Sequence, residues 1–557
     1  MIQGDAAEQS LFTHAAAFVQ ARNIRSDLDV GSLIESPPAD CDPEILRRLR
    51  QMYEAGGWVL VESAIADLPA DLRWLYESGA VTIEQLGALH KGLGATSGTD
   101  LAAAVSEHRI KSLPGLDAAA EEAIGAALPG LRAHIPRIAL GRAVAIVEPL
   151  LEHLREVTGV AWALPAGSLR RGQDMVGDIE IVAAASDPSR AILELLHMAE
   201  QGRCLHQSAR RVYLLVDRVQ VGVRLEPPDN AGAALLYLTG APAHFEALRR
   251  QATIAGWTLA ASGLSAADGT PRPSATEEEI YSAIGLPVIP AEIRNGDEEV
   301  SRALAGTLPT LVAREHIRGD LHMHSTWSDG RDSIAAMADT CHGLGYEYIA
   351  ITDHSPHSAA SRNLTADGVR QQADEIGALR EQYPGMTILH GCEVDILPDG
   401  RLDFPDKILE NFDIVLASLH ERAGHRPDQL LKRYIDAMRH PLVTMITHPT
   451  NRMVPHRAGY DLDWDRVFET AVTTATAVEI DGSPSHLDLD GALARRAIAA
   501  GCVIVINSDC HRVEMLDRQM RLGLTTARRG WVEPRHVLNT RSLAEVRAVI
   551  AAKRAAR

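Results

Sequence analysis

From about residue 316 onward, seven short apolar runs each end in chemically capable side chains: IRGDLHMH, YIAITDH, TILHGCEVD, DIVLASLH, LVTMITH, TAVEID and VIVINSD. Helical patterns such as 333–344 and 491–500 lie between them. Strand alternating with helix predicts parallel βαβ units, and seven of them predict a barrel. The chemistry of such a barrel gathers at the C-terminal ends of its strands, which is where these His, Asp and Glu residues fall.

Side chains two apart on a strand share one face. His322 and His324 (DLHMH), like Asp509 and His511 (SDCH), can therefore each reach one ion as a pair. His354 in TDH, Glu393 in GCEVD, His420 in SLH and His448 in THP each close a strand, and Asp329 in SDG follows the first one. A single strand-end histidine is usually an ordinary hydrogen-bonded residue. So many ionisable groups on one predicted rim instead demand a counter-charge, because burying them unpaired is costly. Mixed imidazole and carboxylate ligation suits Zn, Mn or Fe and disfavours an all-oxygen Ca site. The set exceeds the three or four ligands of a single site, so two or three ions are expected, an arrangement suited to phosphoryl displacement. Cys392 and Cys510 adjoin these positions, but alternation points them to the opposite strand face. Glu479 and Asn507 also end strands, and for them ligation and support of a ligand remain equally open.

As a set, DLHMHSTWSDG, ITDHS, GCEVDILPDG, ASLH, THP and SDCH resemble the polymerase-and-histidinol-phosphatase (PHP) domain. The run ARRGWVEPRHVLNT resembles the version fused to bacterial family X DNA polymerases. Over residues 316–557 the resemblance implies a distorted (β/α)7 barrel, two to three Mn2+ or Zn2+ ions, and 3′→5′ exonuclease activity in DNA repair. Its nine ligand positions fall on His322, His324, Asp329, His354, Glu393, His420, His448, Asp509 and His511. Cys510 and Asp481 stand where a small residue and Asn are usual.

Residues 136–300 resemble the nucleotidyltransferase palm and thumb of family X through AGSLRRGQDMVGDIEIV, EPPDNAGAALLYLTGAPAHF and LPVIPAEIR. The resemblance implies a triphosphate cradle at Gly167, Ser168 and Arg171, and an Mg2+ or Mn2+ site at Asp178 and Glu180. The third carboxylate of that site is replaced by Gly222. Glu180 is a methylene longer than the usual Asp, and Leu238 and Phe245 also depart from the pattern. Tight two-metal geometry tolerates such changes poorly, so nucleotide addition is expected to be weak, altered or lost. Residues 1–135 are expected to be helical and resemble a degenerate helix–hairpin–helix domain, with candidates at 77–94 and in KSLPGLDAAAEEAI. In the second, Asp117 stands where Gly is expected. The turn-rich segment Gly285–Asp297 reads as a connection, and 301–315 as a linker before the barrel.

Charge bears on the partner. With 55 basic and 74 acidic residues, the net charge is −19, which on its face disfavours nucleic acid. The excess is uneven: residues 1–300 carry −15 and residues 301–557 only −4. Divalent ions on the barrel would reverse the sign of that half. The expected partners are therefore DNA (3′ ends, gapped or single-stranded) and dNTP, with Arg452, Arg457 and Arg528 as candidate phosphate contacts. The length of 557 residues suggests three or four domains. Scattered cysteines, no membrane-length apolar run and an acidic N-terminus lead us to expect a cytoplasmic monomer. An active gap-filling polymerase, a small-molecule phosphatase and a non-catalytic DNA-end scaffold are the alternatives.

Overall fold

Seven parallel strands form the last half of the chain: β1 Gly319–Asp320, β2 Tyr348–Ile351, β3 Thr387–Asp395, β4 Ile414–Ser418, β5 Met445–Ile446, β6 Ala477–Asp481 and β7 Ile504–Asn507. They are hydrogen-bonded in chain order. The first and last ends meet through a parallel bridge between Met323 and Cys510, so the sheet closes at its C-terminal rim. The crossover helices begin on polar caps, as isolated amide groups require: Ser333, Thr365, Asp463 and Asp490 each accept an N–H from the first turn of their helices. This is the barrel expected from the sequence. The computed structural model describes residues 70–555 except 94, 96–97, 135–136, 199–202, 218, 359, 361 and 421–424, and a few isolated residues before 70.

Alternation along the strands decides which side chains reach the mouth. Ile349, Ile351, Ile388, Val415, Ala417, Val478, Ile480, Ile504 and Ile506 pack outward with the helices in one core. Their neighbours Tyr348, Ala350, Leu389, Ile414, Leu416, Met445, Ala477 and Val505 fill a second core, plugged by Val546 and Ile550 of the C-terminal helix. Continuing that second parity towards the rim brings up His354, Glu393, His420, Glu479, Asn507 and Asp509. Met323 joins the outward core, so His322 and His324, on either side of it, turn inward. Cys392 and Cys510 also pack in the outward core, as alternation requires.

By its contacts the chain divides into two units, Met1–Pro136 with Ile192–Val223, and Arg137–Ala191 with Arg224–Arg557. The second unit also contains antiparallel strands Val160–Pro165 and Ile179–Ala185, a helix Gly167–Arg170 and a small sheet over 258–272. Segments expected to be connections are packed instead. Leu286, Ile289 and Ile293 lie in the core beneath that sheet, with Ala303 and Leu311. Val312 lies in the barrel's outward core. Their prolines stop helices without exposing the chain, since the apolar residues between them still bury.

In the first unit, helices Ala70–Glu77, Ile83–Leu93, Gly98–Ser106 and Ala118–His134 share a core of Leu72, Leu75, Leu86, Leu89, Leu101, Ile110 and Ile124. Asp117 Oδ1 accepts the N–H of Ala120 at 2.8 Å. The acidic residue in the hairpin motif thus caps its own helix.

Candidate metal centre

All nine expected ligand residues converge on the barrel rim around Glu393, which is 1 % exposed. Its Oε1 lies 2.8 Å from His448 Nε2 and 3.7 Å from His420 Nε2. Its Oε2 lies 2.9 Å from His354 Nδ1, 3.5 Å from His322 Nε2 and 3.6 Å from His324 Nε2. Asp509 Oδ1 is 3.2 Å from His324 Nε2 and 3.5 Å from His322 Nε2. Asp329 Oδ1 is 3.2 Å from His511 Nε2 and 3.6 Å from His354 Nε2. Three groups draw on eight of these residues, His448 falling outside them: His324, Asp329, His354 and His511; His322, His324 and Asp509; His354, Glu393 and His420.

Apart from the two shortest contacts of Glu393, with His448 and His354, these separations are close to those of ligands sharing an ion. Donors bound at about 2.0–2.2 Å in tetrahedral geometry stand roughly 3.3–3.6 Å from one another. Several atoms are aimed past each other: Glu393 Oε2 and His354 Nδ1 are buried and close, yet neither has a hydrogen-bond partner. Buried polar atoms left without partners are rare and call for an explanation, and a shared cation supplies one.

Electrostatics point the same way. Burial opposes ionisation of Glu393, but His322, His354 and His420 outweigh it and hold its carboxyl well below the usual range. Burial also opposes protonation of His322, yet Glu479, Glu393 and Asp509 hold it well above the usual imidazole value. His511 is pushed up to about 9, Asp329 and Asp509 outweighing burial. Burial and the neighbouring His354 and His511 drive His324 down. Imidazoles therefore compete for protons around a few carboxylates, a contest that divalent cations would end.

A further layer holds the rings. Glu479 Oε1 accepts from His322 Nδ1 at 2.8 Å, and Oε2 accepts the backbone N–H of His448 at 2.7 Å. Asn507 donates to Glu479 at 2.8 Å, so both strand-end residues left open by the sequence are hydrogen-bonded here. Asp395 Oδ1 lies 2.6 Å from His420 Nδ1. Asp353 accepts from Ser325, Ser328 and Gln372, which ties down the loop leading to Asp329. Asp395 and Asp353 were not singled out from the sequence; their signal was their place within GCEVD and TDH. His448, Asn451, Leu487 and Asp509 all have positive φ, a clustering of backbone strain typical of functional rims.

Residues 320–467 match the family described as PHP domain, and residues 234–295 the family described as DNA polymerase beta thumb. The DNA polymerase/3'-5' exonuclease PolX of Bacillus subtilis (strain 168) is 35% identical over 506 residues, covering 90% of this chain and 88% of its own. The chain belongs to the PolX family. A "probable phosphatase" of Thermoanaerobacter sp. (strain X514) is 31% identical over 204 residues, 34% of this chain and 78% of its own. The histidinol phosphate phosphatase of Lactococcus lactis is 18% identical and covers 38% of this chain and 93% of its own, with a TM-score of 0.31, too low to carry an argument.

The polymerase-like half of this PolX-family chain keeps part of its framework. Gly167 has a φ of 62° and opens the short helix that contains Ser168. The N–H of Ala166 donates to the carbonyl of Glu180 at 2.8 Å, which sets this turn beside Asp178 and Glu180. Those two half-buried residues flank the buried Ile179, Asp178 just before the strand Ile179–Ala185 and Glu180 within it. Arg171 Nη1 donates to the carbonyl of Thr239 at 2.6 Å. Gly222 lies buried on strand Val219–Glu226. Among the described residues, every metal-capable group of three or more His, Cys, Asp or Glu lies in the barrel, and Asp178 and Glu180 belong to none.

Of the three arginines expected at DNA phosphates, only Arg457 lines the rim cavity of about 270 Å³, with Ser358, Ala360, Asn451, Met453 and His486; its Nε and Nη2 donate to the carbonyl and Oδ1 of Asn451 at 2.8 Å and 2.6 Å. Arg452 donates to Asp174 at 2.7 Å and to the carbonyl of His486 at 2.9 Å. Arg528 donates to Glu292 at 2.8 Å and to the carbonyl of Val312 at 3.0 Å. These two guanidinium groups are committed inside the protein, where paired carboxylates and carbonyls compensate their burial. His486, absent from the expected set, lines the cavity, its ring 5.5 Å from that of His448.

Proposed function

We propose that this chain is a divalent-metal-dependent 3′→5′ DNA exonuclease of the PolX family, acting in DNA repair, with weak or lost nucleotide addition. The convergence of imidazole and carboxylate donors on Glu393 carries this reading, supported by the 3'-5' exonuclease named in the Bacillus subtilis relative. His322, His324, Asp329, His354, Glu393, His420, His448, Asp509 and His511 would hold two to three Mn2+ or Zn2+ ions. Such ions polarise a phosphodiester and generate a nucleophile near neutral pH. Glu479 and Asp395 orient His322 and His420 through their Nδ1 atoms. Arg457, on the cavity wall, offers a guanidinium to a backbone phosphate. The absence of a carboxylate at Gly222 argues against efficient addition of dNTP at Asp178 and Glu180. Among the described residues, no helix is long and apolar enough to cross a membrane.

The test is incubation of the purified full chain and MnCl2 with 5′-labelled single-stranded and 3′-recessed DNA. Stepwise shortening from the 3′ end is expected, and Asp178→Ala should leave it unchanged. Intact DNA beside rapid hydrolysis of p-nitrophenyl phosphate would replace this reading with a small-molecule phosphatase. Robust primer extension by the native chain would overturn the claim of lost polymerisation.

Glu479→Gln preserves shape but removes the charge that holds His322. Metal affinity and exonuclease rate are expected to fall about 10- to 100-fold, as for other outer partners of metal-binding histidines. Metal content after dialysis, measured with the rate, checks this; native values for both would show that Glu479 does not support the ligand.

A further inference from the structure

The polymerase-like half reaches the cavity wall through an ion pair. The loop after the Gly167–Arg170 turn reaches Asp174, whose Oδ2 accepts from Arg452 Nη1 at 2.7 Å and whose Oδ1 accepts from Arg529. Arg529 also donates to Gln173 at 3.2 Å. Arg452 follows Asn451, a cavity-lining residue, and donates to the carbonyls of His486 and Leu487. His486 lines the same cavity. One guanidinium therefore clamps both edges of that wall; the nearer carboxylate holding it, Asp174, belongs to the palm-like segment, while Asp490 of the barrel lies 3.7 Å from the same Nη1.

The packing leaves little slack. A Cβ on Gly141 would lie 2.2 Å from Pro484 Cβ, and one on Gly172 would lie 2.0 Å from Thr525 Cγ2. Palm backbone thus rests directly on the 482–490 loop and on helix Leu516–Arg529. The side chains of Arg452 and Asp174 are 12 % and 19 % exposed, so solvent screens the pair less than a surface ion pair. The wall needs such support: Asn451 and Leu487 hold φ values of 50° and 48°, and strained conformations persist only where their surroundings over-determine them.

We propose that Asp174 is a positioning residue for the exonuclease centre, fixing through Arg452 the wall formed by Asn451 and His486, against which the DNA strand lies. This rests on the exonuclease reading above. It makes the palm-like half a structural component of the nuclease even where its own chemistry is lost. The loop that follows the phosphate-cradle motif thereby acquires a role in the barrel.

Asp174→Ala in the full chain is expected to raise KM for single-stranded DNA about tenfold, within the 10²-fold that a 1 Å misplacement can cost. We expect kcat, bound Mn and p-nitrophenyl phosphate hydrolysis to stay near native. Asp174→Glu should recover most of the loss, and Arg452→Ala should reproduce it without adding to it in the double variant. Hydrogen exchange of 482–490 should rise in Asp174→Ala, a readout that does not depend on activity. Native exchange and native KM in that variant would overturn the proposal, as would equal loss on both substrates together with loss of Mn. If the native chain leaves DNA intact with Mn, the exonuclease reading fails, and exchange of 482–490 alone then decides whether Asp174 holds the wall.

Discussion

Glu393→Ala is expected to lower 3′→5′ degradation of single-stranded DNA by more than about 100-fold, beyond the loss typical for an outer partner of a metal ligand. Glu393 is the carboxylate that the most imidazoles approach. Its two oxygens stand within 3.7 Å of donor nitrogens on His322, His324, His354, His420 and His448. Without it the imidazoles would lose the negative charge that would help hold divalent cations at this rim. Mn content by elemental analysis should fall together with activity, while the far-ultraviolet circular dichroism stays native. Glu393→Gln, nearly isosteric, should behave like Glu393→Ala because charge, not volume, is what it removes. Native Mn content and rate in both variants would refute the assignment of this rim as the working centre.

Glu277→Ala is the largest expected effect on stability, a loss of about 3–5 kcal/mol, the usual result of removing one partner from a buried ion pair. Glu277 is 5 % exposed and receives Arg170 at 2.7 Å and 2.9 Å, and Arg294 at 3.1 Å and through a second close contact. Arg294, 1 % exposed, would be left charged without its carboxylate. Burial raises the pKa of Glu277, but the two arginines outweigh it and hold it at about 2, below the ordinary 4.5. A depressed carboxyl contributes stability above its unfolded pKa and loses it as pH falls through the folded value. The native chain should therefore lose this contribution between about pH 4.5 and pH 2, whereas Glu277→Ala lacks it throughout. Urea unfolding at pH 7, followed by the fluorescence of tryptophans such as Trp257 and Trp531 in the adjacent core, measures the difference. A change below about 1 kcal/mol would mean that the arginines find other partners.

The chemistry of the barrel was legible because it is local. A strand-end His or Glu is placed by the parity of its neighbours, so DLHMH and GCEVD carry their own geometry. Helices 333–344 and 491–500 fall within a residue of where their patterns put them. Asp117 misled in part: its charge was readable, but not its use as a cap. Segments 285–297 and 301–315 read as connections because proline and glycine mark breaks in regular structure, and such breaks can still be buried.

The arginines show the limit most clearly. Arg452, Arg457 and Arg528 are equivalent cations in the sequence. Yet Arg452 meets a carboxylate 278 residues away and Arg528 one 236 residues away. Local pattern carries no record of such pairings, since any buried guanidinium needs a partner and the chain offers many. The residue types and strand parity thus determined the donor set and the barrel that presents it. Only the tertiary structure decided which cations face the cavity, and that Asp174 pairs with Arg452 beside its wall. Those outcomes depend on contacts between distant segments, where packing and charge compensation, rather than local periodicity, select the partner.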